Sequence, residues 1–158
     1  MEEPEPLPPM SESQAKTRIE EDVKELFQIH SLTNGIAYFE TLPGEHRYLL
    51  VDKLISKIDA KEFDVAFMEK LFARVLDAGV CDEETFERGF ASTMTFLDDI
   101  SVDVPTAYAV IARLLLAARL SHGAIGRLAD SITYEGNPSV RPSESLWKQY
   151  RILREERE

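Results

Sequence analysis

One long apolar stretch, residues 104–120, constrains the fold more than any other part of the sequence. Only Arg113 and Arg119 are charged in these 17 residues. Apolar side chains point in almost every direction when the stretch is drawn as a helical wheel, which is typical of a helix buried on most of its circumference. The stretch is too short and too interrupted by charge to span a bilayer. It therefore predicts the core helix of a helical domain.

Three aspartates, Asp98, Asp99 and Asp103, come directly before this helix. We expect the preceding helix to end at about Leu97, where the helix macrodipole disfavours the charges of Asp98 and Asp99 by roughly 0.3–1 kcal/mol each. Asp103 is predicted as the N-cap of the core helix, with Pro105 tolerated in its first turn. Asp99 has no comparable structural task, and a four-residue offset across a tight loop brings its carboxylate near that of Asp103. Such a pair offers a place for Arg or Lys from another protein, with Asp98 as a weaker neighbour, and a purely structural role is the alternative.

The rest of the chain predicts further helices joined by short loops. Apolar residues recur at helical spacing from about residue 13, and no stretch shows the sustained two-residue alternation of a strand. Gly79 is expected to end a helix over residues 61–78, and Asp82 and Ser121 to begin the helices that follow them. Consecutive helices with short loops are antiparallel neighbours. We predict an all-α fold: one HEAT-like domain of stacked antiparallel helical hairpins, with about seven helices and a C-terminal helix.

The composition divides the chain into four parts. Residues 1–13 are acidic and proline-rich and contain no basic residue, so we expect a disordered leader. The helical domain covers residues 14–132, and a linker that contains glycine and proline covers residues 133–142. Residues 143–158 form an amphipathic helix in which Trp147 and Tyr150 share one face. That helix either packs on the domain or is an exposed interaction helix.

The charge of the chain favours a basic protein as a partner. Its formal net charge is −11, and no segment supplies the strong Lys and Arg footprint that binds nucleic acid. The acidity could equally serve solubility alone. Cys81 is the only cysteine, which excludes an intrachain disulfide and is compatible with a reducing compartment. The acidic start lacks the basic and apolar segments of a secretory signal, so we expect a cytoplasmic protein.

Residues that could perform catalysis are few and scattered. His30, His46 and His122 lie far apart and lack a helical metal-ligand pattern, so each is more simply a surface or half-buried histidine. Cys81 has no evident histidine partner and is interpreted as a loop or packed thiol. The sequence contains no phosphate-binding glycine loop and no nucleophile elbow. We expect no catalytic residue, no metal and no cofactor, and hence not an enzyme.

A family resemblance begins at the three aspartates. Residues 97–105 (LDDISVDVP), followed by an alanine-rich apolar helix, resemble the hallmark of the MA3 domain. Residues 23–27 (VKELF), 43–47 (PGEHR), 50–54 (LVDKL) and 86–90 (FERGF) also resemble that domain, so the likeness covers roughly residues 20–128. MA3 is an all-helical module of the eukaryotic translation initiation factor 4 gamma scaffolds, and it occurs in tandem in programmed cell death protein 4. The resemblance implies the same stacked hairpins.

The resemblance also implies a partner. In MA3 domains two acids at this spacing contact the amino-terminal RecA-like domain of the DEAD-box helicase eukaryotic initiation factor 4A, a role that falls here on Asp99 and Asp103. We therefore expect a monomeric scaffold module of cap-dependent initiation that modulates this helicase and binds neither nucleic acid nor membrane. Two alternatives stay open. One is a translational repressor that sequesters the helicase, and the other is a structural domain that oligomerises through the Trp147 segment.

Overall fold

The computed structural model describes residues 9–59 and 61–157, and the regular secondary structure of these residues is entirely helical. Most of the predicted leader, residues 1–8, lies outside the described residues. The elements are α1 (Glu12–Ile29), α2 (Leu32–Glu40), a 3-10 turn (Gly44–His46), α3 (Arg47–Ile55), α4 (Glu62–Asp77), α5 (Glu83–Thr95), α6 (Leu97–Asp103), α7 (Ala107–Ala117), α8 (His122–Asp130) and α9 (Pro142–Glu156).

The helices form two layers. Helices α1, α3, α5 and α8 pack side by side in one layer, and α2, α4, α7 and α9 pack in the other. Four hairpins result, namely α1 with α2, α3 with α4, α5 with α7, and α8 with α9, and the short helix α6 lies in the connection of the third. The prediction of an all-α domain of stacked helical hairpins is confirmed. Within the described residues there are nine α-helices, and α6 is the one that the sequence did not predict.

Neighbouring helices of one layer run parallel. A carboxylate oxygen of Glu83 accepts a hydrogen bond from the Ser121 N–H at 2.8 Å, so the starts of α5 and α8 lie together. The ends of the same helices meet where the Thr133 N–H donates to the Thr95 carbonyl at 3.0 Å. In the other layer Arg119, just after α7, pairs with Asp77 at the end of α4 over 2.7 Å.

This parallel arrangement brings all the turns inside hairpins to one edge of the stack. We call this edge the turn edge and define it as residues 29–31, 56–59 with 61–63, 96–106 and 131–141. The connections between hairpins, residues 41–46, 78–82 and 118–121, lie at the opposite edge.

The predicted core helix is α7. It begins at Ala107 rather than at residue 104, and none of its residues is exposed. Ile111, Leu114 and Leu115 are fully buried between the layers. In the described residues no helix is both long and apolar enough to cross a membrane.

Capping residues and a glycine in the sequence predicted several helix ends correctly. Asp82 accepts a hydrogen bond from the Thr85 N–H at the start of α5, and Ser121 does the same for the Ala124 N–H of α8. Gly79 follows α4 with φ of +73°, a left-handed conformation that glycine adopts without strain. Helix α1 starts at Glu12, inside the predicted leader, because Ser11 and Gln14 form a reciprocal capping box.

The C-terminal helix α9 packs on the domain, which decides between its two interpretations. Leu146 and Tyr150 are buried against α7 and α8, and the ring of Trp147 lies 5.8 Å from that of His122. The aromatic face of α9 therefore packs against the domain and does not form an exposed interaction surface.

Candidate functional site

The segment that holds the three aspartates is a helix, where the sequence predicted an acidic loop. Helix α5 ends at Thr95, and α6 covers Leu97–Asp103. Leu97 is fully buried, and Ile100 and Val104 are partly buried against the core. These apolar side chains hold the segment on the domain as two turns of helix. Over so short a length the spacing of apolar residues is only a weak signal of a helix, which is why the sequence did not predict it.

The prediction that Asp103 caps the core helix is wrong. Asp103 is the last residue of α6, and α7 begins four residues later, after Thr106, with no side-chain cap. Proline disfavours the helical conformation of the residue before it, and Val104 has φ of −121° and ψ of 88° ahead of Pro105. Pro105 therefore separates α6 from α7.

The prediction that the helix dipole disfavours the charges of Asp98 and Asp99 is also wrong. Both residues lie in the first turn of α6, where the positive end of the helix dipole favours a carboxylate. Asp103 is at the last residue of the same helix, where the dipole disfavours negative charge. The acid that is poorly placed for stability is therefore Asp103.

Asp99 and Asp103 form an exposed pair on one face of α6. Residues four apart on a helix lie one above the other, with Cβ atoms about 5–6 Å apart. Both side chains are exposed. Over residues 9–59 and 61–157, neither carboxylate has an ion-pair or hydrogen-bond partner. The structure thus brings the two predicted residues together and leaves both free to accept cationic groups.

Asp98 lies apart from this pair. Its side chain is half-buried, and the Tyr108 hydroxyl donates a hydrogen bond to Asp98 Oδ1 at 2.9 Å. Burial and this bond raise the pKa of the Tyr108 phenol above its ordinary value. Asp98 therefore joins α6 to α7 and has the structural task that the sequence did not assign to it.

The histidines and the cysteine do not converge on a site. His30 Nε2 lies 2.6 Å from Asp64 Oδ1, His46 Nε2 lies 2.6 Å from the Met10 carbonyl, and His122 contacts Arg154. Cys81 is buried, which raises the pKa of its thiol to about 12. In the part of the chain that the structure describes, no three His, Cys, Asp or Glu side chains are arranged to hold a metal ion.

Sequence reasoning missed two apolar residues on the exposed face of α6. Val102 is 81% exposed and Phe96, at the junction of α5 and α6, is 55% exposed. At 100° per residue, Phe96, Asp99, Val102 and Asp103 fall within an arc of about 120°. A helical wheel of residues 96–103 groups them, but the sequence predicts a helix end at about Leu97 followed by a loop.

The fold and this site define an all-helical domain of stacked hairpins with a small acidic contact face. The family model of the MA3 domain matches residues 16–125, more than half of the chain. The chain therefore belongs to the MA3 domain family, a family of helical protein-interaction domains. The matched region contains α6 and α7 and ends before α9. No curated protein and no solved structure matches the chain.

Proposed function

We propose that this chain is a non-catalytic protein-binding module that docks the amino-terminal RecA-like domain of the DEAD-box helicase eukaryotic initiation factor 4A. In this proposal the module belongs to a translation initiation scaffold and works in the cytoplasm on cap-dependent initiation. The observation that carries the proposal is the exposed pair of Asp99 and Asp103, which lies within the matched MA3 region and has no partner in the described chain.

The pair suits a basic protein surface. Two carboxylates one helical turn apart accept a fork of Arg N–H donors or two separate cations, and such charge-assisted bonds are stronger than neutral ones. The backbone of α6 is fixed by the buried Leu97 and by the bond between Asp98 and Tyr108, so little ordering entropy is lost when the pair binds. The net charge of −11 attracts a basic partner from a distance.

Docking would act on the helicase through its conformational equilibrium. DEAD-box helicases work by opening and closing two RecA-like domains, and a module that binds one state better than the other shifts the population by that difference in affinity. A saturating amount of the module should therefore change the RNA-dependent ATPase rate of the helicase. The direction of that change separates an activating scaffold from a repressor.

Amide substitutions test the site. Asp99→Asn, Asp103→Asn and the double variant keep side-chain size and remove charge, and affinity for the isolated RecA-like domain is measured by calorimetry. Each change is expected to weaken binding by about 2–5 kcal/mol if the carboxylate meets a buried cation, and by less at a rim. Glu20→Gln is the matched control, because Glu20 is exposed on α1 and the change removes the same charge. Wild-type affinity in the double variant would reject the site.

Ionic strength supplies a second measurement of the same contact. The association rate of the wild-type domain should fall as salt rises, because screening shortens the reach of the acidic surface. Asp99→Asn and Asp103→Asn should each show a shallower salt dependence than Glu20→Gln, which removes the same single charge. Equal slopes for the three variants would mean that the local pair contributes nothing beyond net charge.

A further inference from the structure

The exposed large apolar side chains of this domain are concentrated at one edge of the stack. Phe63 is 67% exposed, and it belongs to a set that also lies at the turn edge: Ile29, Phe96, Val102, Tyr134 and Val140. Among the described residues, Ile152 on α9 is the remaining large apolar side chain with comparable exposure. Each of the four hairpins contributes at least one member of the set.

The opposite edge has the reverse character. Leu42, Cys81 and Leu120 lie in the connections between hairpins, and all three are buried. Each connection at the opposite edge therefore buries an apolar residue, whereas each turn at the turn edge exposes at least one large apolar residue. Exposed apolar residues that gather in one region indicate a surface that another molecule covers, whereas single scattered ones do not.

Several members of the set are held on rigid supports. The Phe63 ring packs edge-on against His30 with centroids 4.7 Å apart, and His30 also contacts the buried Phe67. Thr133, next to Tyr134, donates hydrogen bonds from its N–H and its hydroxyl to the Thr95 carbonyl, one residue before Phe96. The turn of the fourth hairpin is therefore fastened beside the start of α6.

The surface area of α6 alone is too small for a stable protein interface. A helix of seven residues is about 10 Å long and 10 Å wide, a small footprint beside the roughly 800 Å² per partner of a specific protein interface. Four hairpins spaced by the 8–10 Å of packed helices span roughly 30 Å along the turn edge. That length, across two layers, supplies an area of the required size.

We propose that the turn edge is one extended docking surface, with the Asp99 and Asp103 pair near its middle and apolar contacts on both sides. Its occupant is a folded protein domain with basic side chains opposite α6. The same domain presents apolar side chains opposite the exposed apolar residues of the turn edge: Ile29, Phe63, Tyr134 and Val140. This inference rests on the proposed function, because the same partner engages the acid pair. Charge at α6 sets the orientation of the partner, and the apolar positions supply contact area.

Matched serine substitutions test the extent of the surface. Ile29→Ser and Ile152→Ser change the same residue type at similar exposure, 46% and 40%, and differ in lying on or off the turn edge. Ile29→Ser and Phe63→Ser should each weaken binding to the isolated RecA-like domain by about threefold to tenfold, since each loses apolar area buried on binding. Ile152→Ser should bind as the wild type does. Circular dichroism melts verify that each variant is folded.

Two results overturn the inference, and they are distinguishable. If Ile29→Ser and Phe63→Ser bind like Ile152→Ser while the double amide variant binds weakly, the contact is confined to α6 and the proposed function stands. If the double amide variant keeps wild-type affinity, the proposed function fails and the inference fails with it. Loss of binding in both Ile29→Ser and Phe63→Ser, together with loss in the amide variant, supports the extended surface.

Discussion

The hydroxyl of Tyr108 donates a hydrogen bond to Asp98 Oδ1 over 2.9 Å, and this bond joins the first turn of α7 to the first turn of α6. The short helix is therefore fastened to the core helix by a polar contact as well as by the burial of Leu97. The bond fixes the rotation of α6 about its own axis. That rotation decides that Asp99 and Asp103 face outward.

Removing the Tyr108 hydroxyl should loosen α6. Tyr108→Phe keeps the ring and leaves a half-buried carboxylate without its donor, which is expected to lower the free energy of unfolding by about 1–3 kcal/mol. Urea denaturation measures this loss, and amide hydrogen exchange should be faster in α6 than in α5. Tyr134→Phe is the control, since the Tyr134 hydroxyl is without a hydrogen-bond partner in the described residues. Equal stability of the two variants would contradict a structural role for the bond.

The same contact gives a dependence on pH. Burial, and then the bond to Asp98, raise the pKa of Tyr108 in the folded state, so the folded protein keeps a proton that the unfolded chain releases above about pH 10. This contribution is complete below pH 10 and is lost as the pH rises from there toward the folded-state value. The stability difference between the wild type and Tyr108→Phe should therefore be constant near neutrality and shrink above pH 10. A difference that grows with alkaline pH would contradict the assignment.

Asp82 and Asp103 are both predicted as N-caps from the sequence, and alanine substitutions should show that only Asp82 acts as one. Asp82→Ala removes the acceptor for the Thr85 N–H and should cost about 0.5–2 kcal/mol. Asp103→Ala removes a charge from the end of α6 and should instead stabilise the domain by roughly 0.3–1 kcal/mol. Chemical denaturation of both variants measures the contrast. A loss in Asp103→Ala as large as that in Asp82→Ala would place Asp103 back at the start of the core helix.

The parts of the fold that were predicted correctly depend on signals within a few residues. Gly79 and Asp82 act on their own helix ends, and the apolar circumference of α7 is a property of one segment. Helix α6 escaped prediction because two turns give little periodicity and no side chain caps its start. It is held on the domain by the burial of Leu97 and by the bond between Asp98 and Tyr108, ten residues along the chain, and Pro105 separates it from α7.

The site could be predicted only in part for the same reason. The four-residue spacing of Asp99 and Asp103 is visible in the sequence. Residues at this spacing lie near each other both across a tight loop and on one face of a helix, so their proximity could be predicted without knowing which of the two forms. Their exposure, and the separate task of Asp98, require knowledge of which face α6 turns to the core. Prediction of the turn edge requires knowledge of the whole tertiary arrangement, because Ile29, Phe63 and Val102 share an edge only through the parallel packing of helices within each layer.

Gly89 permits a close approach of α5 to α3. A Cβ atom at Gly89 would lie 2.4 Å from Val51 Cγ1 and 2.5 Å from Val51 Cβ, where α5 packs against α3. Val51 is buried and branched at Cβ, so it cannot turn away. Gly89→Ala should therefore destabilise the domain by about 1–3 kcal/mol through overpacking, measured as a lower urea midpoint.

Two further variants make the Gly89 result specific. Gly126→Ala lies inside α8 with its nearest neighbour, a Trp147 ring atom, at 4.0 Å, and should stabilise the domain by about 0.5–1 kcal/mol. Combining Gly89→Ala with Val51→Gly should recover part of the loss, because both Val51 atoms that the added methyl group would meet, Cγ1 and Cβ, are then absent. If the double variant shows the full sum of the two single losses, steric contact is not the cause.

Arg47 joins two of the connections at the opposite edge. Its Nε donates to the Phe39 carbonyl at 2.9 Å near the end of α2 and to the Leu42 carbonyl at 3.2 Å in the connection after it, and its Nη1 donates to the Val80 carbonyl at 2.9 Å after α4. Arg47→Lys should cost about 2–4 kcal/mol, because a lysine ammonium cannot reach acceptors on both connections and leaves at least one carbonyl unpaired.

Salt distinguishes this role of Arg47 from that of a surface ion pair. The acceptors of Arg47 are neutral carbonyls, so the loss in Arg47→Lys should stay constant between about 0.05 M and 1 M salt. Arg127→Lys is the comparison, since Arg127 forms an exposed pair with Glu87 at 2.7 Å, and its loss should lie within about 0–1 kcal/mol and decrease with salt. Urea denaturation at the two salt concentrations measures both. A loss in Arg47→Lys that disappears at high salt would mean that Arg47 acts through carboxylates, not through the backbone of the two connections.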